Sequence, residues 1–398
     1  MNRMRMNPYL LFSVFYFVQG AVQSYLSNFQ KPYLLKAGVS LDKIAMLSAV
    51  MVGPFWLKSL YGIVSDRIPL FGDHRKSYMV LGLAMAAIGY FALAFVNPGQ
   101  QFETFFLILL GTSVGMAIFD TCADGFAVDI TPANREGVVQ SSMMLGRGVG
   151  YILLALVFGR LAFHFGIHSV FLALSGLILF VSLVVVTTTP RIARSIEKID
   201  LLQWVKWRPT LLRDGDFLWL ASYSILYSIA SFGIDGLTTL FGQVKLGFND
   251  EILGNMGSFQ GIGSILGALL GAVSIGFLGV RRSAFLGVIM ISLGGFLVTK
   301  MSDPPSAYAI SLVWGVLWAF QETLILVLCM MASRGTLAAT LFATLMVSSN
   351  VGSSVGEWTG TTLFGHVGPE STFLILASGN LLLLPFLWLY FRRLRVTA

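Results

Sequence analysis

A small set of ionisable side chains stands inside stretches that are otherwise apolar: Lys58, Asp120, Asp124, Arg147, Asp235, Glu322 and Glu357. Carrying one such group into hydrocarbon costs at least about 2.5 kcal/mol on insertion scales, so each needs a partner, a watery cavity or a task. Asp120 and Asp124 are four residues apart, which on a helix places both on one face, about 6 Å apart along the axis. Two carboxylates that close cannot both hold a charge cheaply in a low dielectric, and that is the condition for a group that takes up and releases a proton. Arg147 is the expected counter-charge. If the helices flanking residues 132–136 form an antiparallel hairpin, Arg147 and Asp120 both lie about 16 Å from the turn and face each other. Such a pair either braces two helices or faces a cavity, and its cost favours the cavity. Lys58, in "PFWLKSLYG", is expected to pair with Asp120 or Asp124 or to greet an anionic solute, the plain alternative being that it snorkels back to water. With Lys58 and Arg147 both aimed inward, the site suits carboxylate-bearing molecules.

The second half of the chain offers a companion set. Glu322 stands at the same depth from its turn as Asp120 does, and Gln321, Asn350 and Glu357 add polar groups nearby. Glu322 and Asn350 are expected near a pseudo-symmetric partner site, with Glu357 and Asp235 closer to the outer end, at a gate. An interhelical hydrogen bond would explain each of the four equally well. Gln19 and Gln23 fall on roughly one face of the first helix, which would then line water. Tyr223 and Tyr227, again four apart, could stack against a flat ring or simply pack.

The elements that must position these residues follow from composition. Of 398 residues, 56% are hydrophobic and 11% charged, and the mean hydropathy is +0.79; that leaves too little polar surface for soluble domains. Spanning the ~30 Å hydrocarbon core takes about 20 apolar residues per helix. Apolar runs broken by turn and charge signals place helices near 8–36, 41–65, 77–96, 102–131, 137–163, 168–188, 216–245, 250–278, 283–300, 306–332, 337–364 and 371–391. The expected architecture is an all-α membrane protein of 12 transmembrane helices in two pseudo-symmetric six-helix bundles, 1–188 and 216–398, joined by a polar linker at 189–215. A faint repeat supports it: "RKSYMVLG" (75–82) enters the third helix and "RRSAFLG" (281–287) the ninth. The opening "MNRMRMNPYLLFSVFYFVQG" has no small-residue cleavage site after it, so it reads as a retained first helix.

Net charge +7 would suit nucleic acid, but most of the lysines and arginines fall on alternate loops together with the two ends of the chain, as the positive-inside rule requires. Both termini are therefore expected in the cytosol, with no nucleic-acid partner. Cys122 and Cys329 lie in predicted helices, without a CxxC or a histidine cluster, so neither a disulfide nor a metal is expected, and no cofactor.

The charge-rich loop lies in "YGIVSDRIPLFGDHRKSYMVLG" (61–82). A carboxylate at Asp66 can pair with Arg67 or Arg75 and sit against a helix N-terminus. This stretch resembles the signature between the second and third helices of the major facilitator superfamily. More narrowly, "YFVQG" (16–20), "PFWLKSLYGIVSDRIPLFG" (54–72), "FDTCADG" (119–125) and "LMVSSNVGSSVG" (345–356) are similar to the folate-biopterin transporter family. The segment "DTCADGFAVDITPANREG" (120–137) also resembles muropeptide permeases in the spacing of Asp120, Asp124, Asp129, Pro132 and Gly137. The resemblance implies that Asp66, Arg67 and Arg75 form a clasp controlling conformational switching. It implies too that the fifth, eighth and eleventh helices, rich in glycine, line the seam between halves. One departure stands out: many proton-coupled members carry an arginine on the fourth helix, and "LILLGTSVGMAIFD" has none.

No G-x-x-x-x-G-K-S/T loop, HExxH or GxSxG occurs, so neither ATP nor an intramembrane enzyme is indicated. The expectation is a secondary transporter, a monomer in a bacterial inner membrane, coupling protons to a small organic anion, a folate or pterin by resemblance. The alternatives are another amphiphilic anion, such as a muropeptide or a lipid-like molecule, and a non-transporting assembly factor.

Overall fold

The computed structural model describes residues 6–131, 135–190, 215–332 and 338–397. Most of the expected linker, from 191 to 214, lies outside the described residues. Among those described, every regular element is a helix. The first six spans are built from α1 (Pro8–Asn28) with α2 (Gln30–Lys36), α3 (Leu41–Val52) with α4 (Lys58–Arg67), α5 (Lys76–Leu93), α6 (Phe102–Ile130), α7 (Glu136–Phe165) and α8 (Ile167–Thr188). The rest are α9 (Gly215–Asp235) with α10 (Thr238–Leu246), α11 (Asp250–Val298), α12 (Pro304–Ala332), α13 (Ala338–His366), and α14 (Pro369–Leu381) with α15 (Leu383–Thr397). Ten helices among the described residues are long and apolar enough to cross a membrane. One of them, α11, is two spans joined at Gly279, whose φ of 75° and ψ of 160° are not helical. With the 29-residue α13, the expected series of spans is accounted for.

The breaks within spans have a local cause. Pro32, Pro54 and Pro385 each lack the N–H that would close a helical turn, and each ring crowds the carbonyl four residues back. The ladder accordingly lapses at Phe29, at the 3-10 turn Gly53–Leu57 and at Leu382. The second of these breaks makes Lys58 the first residue of α4. The seventh span breaks between Asp235 and Thr238 without a proline, at Gly236, a residue that is costly inside a helix.

The chain divides into two compact units, Met1–Ile196 with Gly247–Ser258 and Glu197–Leu246 with Phe259–Ala398. Residues 247–258, expected in the second bundle, pack in the first unit: Ser258 Oγ donates to the Ile152 carbonyl at 2.9 Å and Lys36 Nζ pairs with Asp250 at 2.7 Å. In that unit α1 runs alongside α7 at backbone contact. A Cβ on Gly20 would fall 2.1 Å from the Arg147 carbonyl oxygen, so only glycine permits the approach. Ser175 Oγ on α8 donates to the Ala87 carbonyl on α5 at 2.9 Å.

The second unit repeats this pairing by itself. Its α9 runs alongside α13, where a Cβ on Gly356 would fall 2.5 Å from the Ile229 carbonyl oxygen. Asn380 on α14 donates to the Val288 carbonyl at 2.9 Å and to Ser292 at 3.0 Å, both on α11. First span with fifth and third with sixth thus become seventh with eleventh and ninth with twelfth, the structural form of the faint sequence repeat.

Candidate functional site

Two elements of the first unit, α4 and α1, converge on the acidic pair of α6. Lys58 opens α4 at a helix N-terminus, where the backbone dipole disfavours a cation; its ammonium makes salt bridges to Asp120 and to Asp124, the latter at 3.3 Å. From α1, Gln19 Nε2 donates to Asp120 Oδ1 at 2.6 Å, and the Tyr16 hydroxyl donates to Asp124 Oδ1. Each carboxylate therefore has one donor from the first span and shares the lysine of the second. Their surroundings differ: the Asp120 side chain is 11% exposed and that of Asp124 45%, so Asp124 is the less enclosed of the two. With both ionised, the group carries one more negative charge than positive.

Arg147 does not serve as the counter-charge expected for Asp120. That place belongs to Lys58, because the 3-10 break sets the ammonium between the two carboxylates. The guanidinium of Arg147, exposed on α7, donates through Nε to Gln23 Oε1 at 2.9 Å. Gln19 and Gln23 thus contact the two charged parts of the site from one helix.

The charge-rich loop gathers around Arg75. Its guanidinium pairs with Asp66 at 2.6 Å and with Asp129 of α6 at 3.0 Å, and donates to Ser65 Oγ at 2.8 Å. The Arg75 and Lys76 amides both donate to Asp73 Oδ1, at 2.8 and 2.7 Å, which caps the start of α5. Gly125 leaves the room: a Cβ there would lie 2.6 Å from Arg75 Cζ. Lys76 Nζ reaches the Val186 and Thr189 carbonyls at the C-terminus of α8, at 2.7 and 2.9 Å, where a cation suits the helix dipole. Arg67 ends α4, directly after Asp66.

In the second unit Tyr227 donates to Glu322 Oε2 at 3.2 Å and accepts from Ser231 Oγ at 3.1 Å, while the Tyr223 hydroxyl accepts from Gln321 Nε2 at 2.6 Å. Both tyrosines are buried, with rings stacked on each other at 6.4 Å and Tyr223 stacked on Phe386 at 6.4 Å. Their faces are spent on packing, not held open for a flat ligand. Asn350 lies half-buried on α13 beside Ser349, whose hydroxyl shares a 2.8 Å hydrogen bond with Ser228. Asp235 accepts from Gln260 at 2.6 Å and from Trp314 Nε1 at 2.8 Å, at the break in the seventh span.

Sequence reasoning missed Tyr16, Ser65, Gly125 and Asp129 as members of these clusters. Tyr16 precedes Gln19 by three residues, the spacing of one helix face, and that was a usable signal. Ser65 and Gly125 gave none, since their roles arise from packing.

The fold has known relatives. Residues 11–357 match the family model described as Major Facilitator Superfamily. A folate-biopterin transporter of Synechocystis is 29% identical over 262 residues, covering 63% of this chain and 51% of that protein. A probable folate-biopterin transporter 5 of Arabidopsis thaliana is 30% identical over 227 residues, covering 54% and 44%. The chain spans about half the length of the curated relatives it matches. Among solved structures, that of the nucleoside transporter NupG superposes with a TM-score of 0.78 at 16% identity, covering 97% of this chain and 99% of that one, a likeness of fold.

Proposed function

This chain belongs to the major facilitator superfamily, and from that premise we propose that it is a secondary transporter working by alternating access. In this reading, protonation of Asp124 or Asp120 is coupled to movement of an organic anion, a folate or pterin. The substrate class is supported by the names of the relatives and by the cations of the first unit. The observation that carries it is the division of labour between those cations. Lys58 is neutralised by two carboxylates, whereas Arg147 is held by the neutral oxygen of Gln23. An exposed guanidinium deep in a span keeps its charge and its planar fork of N–H groups for a carboxylate from outside the protein.

Asp66, Arg67 and Arg75, joined by Asp129, form the clasp that governs switching; resemblance and the three-way contact at Arg75 support that role. The membrane orientation, both termini cytosolic, rests on the distribution of lysine and arginine. One chain supplies all the spans needed, so the transporter works as a monomer.

The test is uptake of labelled folate and pterin into proteoliposomes with and without an inward proton gradient, for wild type, Asp124→Asn and Arg147→Ala. Saturable, gradient-dependent uptake lost in both variants is the expected result. A folded wild type that takes up neither compound would overturn the substrate; uptake indifferent to the gradient would overturn the coupling.

A further inference from the structure

The donors that meet the acidic pair and the acceptor that meets Arg147 belong to a single helix. Tyr16, Gln19 and Gln23 of α1 touch Asp124, Asp120 and Arg147 respectively, and positions i, i+3 and i+7 form one stripe. About 10 Å of helix separates the first from the last. At the same level α1 is seated on α7, with Gly20 against the Arg147 backbone and Ser13 Oγ donating to the Ser142 carbonyl at 3.0 Å. A displacement of Tyr16 therefore reaches the support of Arg147 through one rigid element. Tyr16 itself is buried, 6% exposed, and its hydroxyl is directed at the more exposed of the two carboxylates.

We propose that Tyr16 is a positioning residue that links the protonation of Asp124 to the placement of the Arg147 guanidinium. A hydrogen bond to a carboxylate is about twice as strong as one to a neutral acceptor. A proton arriving at Asp124 removes the charged acceptor, the Tyr16 bond weakens, and the hold of α1 on Gln23 and Arg147 is released. The charged groups facing Asp124 are Lys58 from α4 and Asp120 from its own helix, with Arg147 of α7 acting on the Tyr16 phenol. This inference rests on the proton-coupled anion transport proposed above and deepens it by naming the connection between the two ions.

A double-mutant cycle tests it without substrate. The probe is the infrared band of the protonated carboxyl, followed against pH in lipid and assigned by its disappearance in Asp124→Asn. Tyr16→Phe is expected to change the proton concentration at half-signal about tenfold or more, the size of one charge-assisted hydrogen bond. Arg147→Ala is expected to move the same midpoint in the wild-type background and to leave it where it is in the Tyr16→Phe background. Additive shifts would overturn the inference, since a through-space effect of Arg147 on Asp124 needs no tyrosine; so would a midpoint unmoved by Tyr16→Phe. Should Tyr16→Phe not fold, Gln23→Leu interrupts the same path at its other end, and the same cycle applies. A non-additive cycle in a protein that moves neither folate nor pterin would uphold the Tyr16 connection while overturning the folate or pterin assignment.

Discussion

In the first unit the acids of α6 are met by a lysine, an amide and a phenol, and one of them is nearly half exposed. In the second, Glu322 of α12 is met by the phenol of Tyr227, and the neighbouring Gln321 is fully buried against Tyr223. The first–fifth and third–sixth pairings of the first unit recur in the second as seventh–eleventh and ninth–twelfth, with glycines at the first–fifth and seventh–eleventh contacts. A repeated fold thus conserves packing geometry while the groups mounted on it diverge. The first unit holds its acids with an ion pair and hydrogen bonds, and the second holds its acid with hydrogen bonds between side chains. Small residues do for both what a hydrophobic driving force cannot do in lipid, by bringing backbones into van der Waals contact.

The contrast can be broken most directly at Lys58. Lys58→Met strips two buried or half-buried carboxylates of their shared cation, and removing one partner of such a group costs about 3–5 kcal/mol. Uptake should fall by about 100-fold or more, with a lower melting temperature in detergent. Recovery of that melting temperature in Lys58→Met with Asp120→Asn would show that the loss was electrostatic.

The next largest effect is expected at the clasp. Arg75→Ala removes a guanidinium that binds two acids and Ser65, and should slow turnover about tenfold while leaving substrate affinity within about threefold, consistent with hydrogen bonds to charged groups worth about 1.5–3 kcal/mol. Arg281, its counterpart in the sequence repeat, is half-buried at the corresponding point of the second unit, and Arg281→Ala should change turnover little. Equal losses in both would mean that the two units share the clasp function. Stopped-flow uptake alongside equilibrium binding separates the two quantities.

The smallest effect sharpens the contrast. Glu322→Gln keeps an acceptor for Tyr227, so gradient-driven uptake should change by no more than about threefold, the scale of a neutral hydrogen bond. A loss as large as that of Asp124→Asn would make Glu322 a second coupling acid and remove the asymmetry.

The class of fold was legible because lipid imposes one rule on every span, about 20 apolar residues with all backbone groups satisfied within the helix. The two spans of α11 show why boundaries were readable too: Gly279, where the backbone leaves the helix, lies where "GVRRS" interrupts the apolar run. The pairing of Asp120 with Lys58 was legible only as one of several options. Helical spacing relates residues on one helix, but which helix supplies the counter-charge depends on the 3-10 break at Pro54, whose effect on the direction of Lys58 has no signature in spacing. The expected partnership of Arg147 with Asp120 was a statement about depth, and depth leaves rotation about the helix axis undetermined. Likewise Asp129 stood out by its place in "DTCADGFAVDI", but its seat at Arg75 depends on the gap left at Gly125.

Both cysteines of the chain, Cys122 and Cys329, are fully buried. To water-soluble thiol reagents the native protein is therefore blank, and a single new cysteine becomes a reporter against an empty background. The turn at Phe71 and Gly72 offers the place: Phe71 is 89% exposed at the tip of the loop after α4, with both residues at positive φ. Phe71→Cys, labelled from one face of the membrane at a time, would read out which side that loop occupies, without a fusion tag and without altering any contact of the clasp beneath it.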